Sequence, residues 1–141
     1  MTEDNEAGKV FRAERFELVD EAGEVRAVLG FTGEGSPSLR FLDPQGRPRM
    51  SIGLFKSNWT GVDMVDQDAD IRSLLRLGEE SLPMVSLMDE EGNIRASIGL
   101  RDDGVAGMIF FDDQQNVRAG VGLKSDGSPD VGFYDPQGNK I

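Results

Sequence analysis

A chain of 141 residues with 38% apolar and 29% charged residues suits one globular domain. Its formal net charge of -11 repels phosphate backbones and anionic headgroups, so nucleic acid and membrane are not expected as partners. With no Cys and no His, disulfide frameworks, thiol chemistry, Ser–His relays and the usual zinc sites are excluded.

Residues 1–9 open Met1-Thr2-Glu3-Asp4-Asn5-Glu6 and are expected to form a flexible acidic N-terminus, the opposite of a secretory signal. No apolar run approaches the length of a membrane span, and a cytoplasmic location is the expectation. Residues 10–141 read as a single β-repeat domain. An aspartate returns every 23 residues, at Asp20, Asp43, Asp66, Asp89, Asp112 and Asp135. An arginine follows the first five at a constant offset, at Arg26, Arg49, Arg72, Arg95 and Arg118. The chain is therefore five full repeats and a truncated sixth.

Each unit predicts a strand, a turn, a second strand and a second turn. In the first strand, positions two and four before the aspartate are apolar (Leu18 and Phe16, Phe41 and Leu39), the strand period of two. The position just before it is apolar as well (Val19, Leu42, Val65), which predicts burial on both faces. Asp43-Pro44-Gln45-Gly46 and Asp135-Pro136-Gln137-Gly138 carry the type I turn signature, with Gly left-handed and Asp accepting the turn's own amides. The second strand alternates again, as in Val25, Ala27, Leu29 and Phe31. Its other face ends on Gly30, Gly53, Gly99 or Gly122, where a neighbouring unit's side chains are expected against bare backbone. The third unit is worn: Ala69 replaces the turn glycine and Arg76 the strand glycine, and the fifth has Gln115 at its turn.

For a simple hairpin of this turn type, Leu18 and Arg26 share one side, while Val19, Val25, Ala27 and Leu29 share the other. Both faces then need cover. This favours an all-β, propeller-like closed ring of hairpins, with a β-solenoid as the alternative. The sixth unit stops where its second strand should run, and Phe11-Arg12-Ala13 resembles the start of that strand. Residues 10–16 are expected either to supply it, within the chain or between chains, or to form an ordinary edge strand.

Candidate sites are few. Asp66, Asp68 and Asp70 alternate as in a calcium loop, but Ile71 and Leu77 stand where such a loop needs Gly and Glu; the competing reading is a worn turn. Trp59, in the turn Phe55-Lys56-Ser57-Asn58-Trp59-Thr60, is the main candidate for a binding or assembly contact, with Phe55 beside it. Its competing reading is a ring folded back over the hairpin. Phe11 and Tyr134 are the further interaction candidates, although Tyr134, like Phe110, Phe111 and Phe133, occupies a repeat column that also reads as core. No pair of carboxylates stands out as a hydrolase site.

Several strings carry a resemblance: Phe11-Arg12-Ala13-Glu14-Arg15-Phe16-Glu17-Leu18-Val19-Asp20, Val25-Arg26-Ala27-Val28-Leu29-Gly30, Ile94-Arg95-Ala96-Ser97-Ile98-Gly99-Leu100 and Asp126-Gly127-Ser128-Pro129. They resemble uncharacterised bacterial proteins built from tandem 23-residue β-hairpin repeats, a set that implies a fold but carries no activity. The unit length is similar to MORN-type hairpin repeats, without their Tyr/Gly spacing. The expected function is a non-enzymatic module for assembly or protein binding, with itself or another protein as partner. The alternatives are a lectin-like or small-ligand module, with carbohydrate as ligand, and a calcium-binding repeat protein. No cofactor is expected, and a carboxylate-based hydrolase is the remaining enzymatic alternative.

Overall fold

The computed structural model describes residues 10–55, 59–77 and 82–141. The flexible tail expected at 1–9 lies outside them, as do residues 56–58 of the Trp59 turn and 78–81 of the third unit's second turn. The described residues form eleven strands and no helix. They are β1 (Arg15–Val19), β2 (Val25–Phe31), β3 (Pro37–Leu42), β4 (Pro48–Leu54), β5 (Thr60–Val65), β6 (Ile71–Leu77), β7 (Pro83–Met88), β8 (Ile94–Leu100), β9 (Ala106–Phe111), β10 (Val117–Leu123) and β11 (Pro129–Phe133). All lie in one sheet, antiparallel, in chain order.

The closed ring is not formed. β1 and β11 are the two edges, and no pairing joins them. Nor do a unit's two strands sit in opposite sheets, as the solenoid reading required; they are hydrogen-bonded neighbours. Residues 10–14 form no strand, and Val10 and Phe11 are exposed, so they do not supply a missing strand within the chain. The sixth unit begins its own second strand instead: Tyr134 bridges Lys140, and Ile141 N–H donates to Phe133 C=O at 2.9 Å.

The turns form as their residues dictate. Asp20 N–H donates to Glu24 C=O and Gly23 N–H to Asp20 C=O, both at 3.0 Å, with Gly23 at φ 83°. The worn positions keep this geometry without glycine: Ala69 is at φ 73° and Gln115 at φ 63°. An L-residue pays roughly 1–2 kcal/mol for that conformation.

The facing of side chains departs from expectation for a definite reason. Val19 pairs with Val25, but Leu18 then pairs with Ala27, leaving Arg26 as an extra residue. The same one-residue slip occurs in all five aspartate-turn hairpins. Such a bulge rotates everything beyond it to the other face. Leu18 therefore joins Ala27 and Leu29, and Arg26 joins the opposite face.

The result is one face that carries no charge in its two central rows and is apolar there except at Ser73. An unbroken cross-strand row runs Phe16, Leu29, Leu39, Ile52, Val62, Leu75, Val85, Ile98, Met108, Val121, Val131. Beside it runs Leu18, Ala27, Phe41, Met50, Met64, Ser73, Leu87, Ala96, Phe110, Ala119, Phe133. The sheet's other face carries Val28, Arg40, Ser51, Asp63, Leu74, Ser86 and Ser97 in the matching row.

Burial differs sharply between the two faces. On the apolar face Leu29, Leu75 and Leu87 are 51%, 51% and 52% exposed, whereas their neighbours on the other face, Val28, Leu74 and Ser86, are 3%, 6% and 0% exposed. With one layer and, among the described residues, no second element packed over it, such burial requires the sheet to curl toward the polar face, so that side chains there cover one another. The glycines fit this curvature. A Cβ at Gly53 or Gly99 would stand 2.5 or 2.7 Å from the carbonyl oxygen of Pro37 or Pro83. What crowds these glycines is the neighbouring strand's backbone, rather than a neighbouring unit's side chains. Phe110 and Phe133 point out of the convex face and are exposed instead of core.

Candidate functional site on the concave face

The aspartate and arginine columns resolve into a structural staple. One oxygen of Asp20 accepts from the amides of Ala22 and Glu24, both at 3.0 Å; the other accepts Arg26 Nε at 2.7 Å. The bulge places Arg26 within reach of its own turn and of the next unit, where Nη1 donates to Asp43 C=O at 3.0 Å. Arg49, Arg72, Arg95 and Arg118 donate Nε to the carbonyls of Val65, Met88, Phe111 and Tyr134, at 2.9–3.2 Å. Each also lies 3.3–3.7 Å from its own turn aspartate. In Asp20 the amide of Glu24, then Arg26, holds the carboxyl below its usual range. In Asp66 partial desolvation is the largest influence and pushes upward, but the amides of Asp70 and Asp68 with Arg72 outweigh it, and the net direction is down. Asp103, outside these columns, is held down to about 2, by Arg101 first, against partial desolvation, with help from the Val105 amide and the Ser125 hydroxyl.

Asp66, Asp68 and Asp70 are not brought together as ligands. Asp66 accepts the amides of Asp68 and Asp70 at 2.9 and 3.1 Å, and Arg72 at 3.3 Å. The shallow depression beside them is shared with Arg49 and Arg72, whose guanidiniums a cation would meet. Among the described residues no three acidic side chains are grouped to hold a metal ion.

Trp59 and Phe55 are brought together, around a residue that sequence reasoning passed over as wear. Arg76 stands in a glycine column, and its guanidinium lies 4.9 Å from the Phe55 ring centroid and 5.4 Å from that of Trp59. It forms a two-pronged pair with Asp63, Nε to Oδ1 at 3.1 Å and Nη2 to Oδ2 at 2.7 Å. Both are largely withdrawn from water, with side chains 17% and 8% exposed. Directly opposite Arg76 is Gly61, where a Cβ would come within 2.9 Å of Arg76 Cγ and 2.1 Å of Leu75 C=O. The third unit's departures thus compensate one another: a glycine makes room, an arginine fills it, and an aspartate neutralises it. The legible signal was a pair of opposite charges at repeat positions that lie diagonally across β5 and β6, Asp63 facing Leu74 and Arg76 facing Gly61.

Trp59 is folded over the concave face and half-buried. A groove of about 290 Å³ runs from it past Leu82 and Met84, across Gly99 and Gly107, to Ile109. Glycine backbone forms part of its floor, its walls are mostly apolar with Ser97 and Arg101 among them, and its volume is just under the range of small-ligand clefts. Tyr134 lies far from this cluster, its ring packed on Gly132, whose Cβ would be 2.5 Å from the Tyr134 hydroxyl. Phe11 stays outside the sheet and exposed. The four interaction candidates therefore divide into one cluster, Phe55 with Trp59, and two separate residues.

The repeat architecture is thus seen in the structure as tandem antiparallel hairpins, while no protein-family model matches the chain and no curated protein matches it.

Proposed function

We propose that the protein is a non-enzymatic β-repeat module whose task is assembly or protein binding, and that its working surface is the convex apolar face. The observation that carries this reading is the pair of cross-strand rows spanning all eleven strands with no charged residue in either, while Phe16, Leu29, Leu87, Phe110 and Phe133 stand exposed. Continuous apolar area on this scale marks an interaction surface. The repeat aspartates argue in the same direction, because turn amides and Arg or Asn partners already engage their carboxylates, leaving them poorly suited to acid–base work. Sedimentation velocity of the full chain over a wide concentration range tests the reading. The expected result is a species heavier than 15.4 kDa that grows with concentration. A 15.4 kDa particle throughout, with no binding of an apolar dye, would contradict it.

A second reading, a small-ligand or sugar module, is favoured by the Trp59 groove alone. Titration of the single tryptophan's fluorescence with a sugar panel checks it; saturable quenching supports the module and an unchanged spectrum refutes it.

A further inference from the structure

We infer that the occupant of the convex face is a second copy of this chain, packed face to face as a two-sheet sandwich; the inference rests on the assembly reading above. Three observations lead there, and the first is area. A folded monomer of 15.4 kDa should expose roughly 7,200 Å², whereas this chain exposes 10362 Å². Full exposure of the sixteen residues outside the described ranges would account for at most about 2,500 Å². With those residues also taken out of the reference monomer, an excess of roughly 1,300 Å² remains, within what one subunit of an obligate homodimer hides.

The second observation is shape. In one of the two apolar rows, large side chains alternate with small ones from strand to strand. Phe41, Leu87 and Phe110 stand on odd-numbered strands, with Ala27, Ala96 and Ala119 on even-numbered ones; Met50 on β4 is the exception. Ridges and grooves therefore share one period, two strands or about 9.6 Å. An identical face shifted by one strand sets its ridges into these grooves, the self-complementarity that a two-fold interface requires. An unrelated partner would have to reproduce that period by coincidence.

The third observation is charge. Two chains of net charge -11 can meet only across a surface that keeps their carboxylates apart. Among the described residues the strand carboxylates Glu17, Asp63 and Asp130 fall on the concave face, and the repeat aspartates lie in turns along one rim.

The test measures the absolute mass of the full chain and of two variants by light scattering during size exclusion, with circular dichroism of each. Wild type is expected at twice 15.4 kDa. Ile98→Glu places a charge at the centre of the face and should weaken dimerisation by about a hundredfold or more. Ala96→Trp fills a groove while adding apolar area, and should weaken it as well. Loss of the dimer in both variants, with the β signal retained, supports the inference. If Ile98→Glu fails to fold, Ala96→Trp decides alone. An oligomer that Ala96→Trp strengthens overturns the ridge-in-groove sandwich but leaves the assembly reading standing. An oligomer that neither variant affects joins chains at the sheet edges; it overturns the inference and also the convex face as the working surface, leaving only assembly itself. A wild-type monomer at every concentration overturns the inference, and the assembly reading then survives only through another protein.

Discussion

The two faces of this sheet are built by the same strands and reach opposite solutions. The concave face mixes polar and apolar residues yet is dry at its centre: Val28, Leu74 and Ser86 are buried because curvature lets neighbouring side chains cover one another. The convex face is apolar yet wet, with Leu29, Leu75 and Leu87 about half exposed. A single layer can cover only the side toward which it curls. The five regular bulges decide which side that is, because they send Arg26 and its equivalents inward and Leu18 and its equivalents outward. Curvature thus supplies intramolecular stability on one face, and the other stays half exposed.

The largest effect from breaking the concave side is expected at Asp63. Asp63→Ala strands Arg76 as an unpaired, mostly buried charge and should cost about 3–5 kcal/mol in urea unfolding. Asp63→Ser with Arg76→Gly, residues found at equivalent positions of other units, should recover most of that loss.

Acid should act on the turns next. The repeat aspartates have depressed native pKa values, so the unfolded chain takes up protons first as pH falls. Their contribution is complete above the ordinary carboxylate value of about 3.9 and is lost as pH drops below it. Denaturation midpoints at neutral pH, pH 4 and pH 2.5 should decline mainly in the last interval, and less steeply in Asp20→Asn.

Gly99→Ala sharpens the curvature argument. The added methyl meets the Pro83 carbonyl at 2.7 Å, and a loss of about 1–3 kcal/mol is expected. The same substitution at Gly120, with no atom closer than 3.6 Å, should be nearly neutral. The smallest effect is a gain: Ala69→Gly and Gln115→Gly relieve left-handed backbone and should each add about 0.5–1 kcal/mol.

Much of this was legible in the sequence. The 23-residue period gave the hairpins, the turn aspartates and the left-handed Gly23, Gly46, Gly92 and Gly138, because turn chemistry is local. The facing of the strands was not, because one extra residue at Arg26 reverses it, and a bulge of that kind leaves no mark in alternation beyond the arginine itself. Ring closure was inferred from the assumption that both faces must be covered within the chain. That assumption fails for an open single-layer sheet whose apolar convex face stays half exposed within the chain. At the candidate site Trp59 was visible as an aromatic in a turn. Arg76 and Asp63 were not, since each appears as drift when a repeat column is read alone, and only the β5–β6 register makes them a pair.

The comparison of faces can be read directly by methionine oxidation. Met64 stands on the convex face at 48% exposure in the isolated chain, while Met84 lines the concave groove. Peroxide treatment at high and low protein concentration, followed by peptide mass spectrometry, compares the two. A covered convex face predicts that Met64 is protected at high concentration and becomes reactive on dilution, with Met84 unchanged. Rapid oxidation of Met64 at every concentration, in a chain that remains folded, would contradict the account.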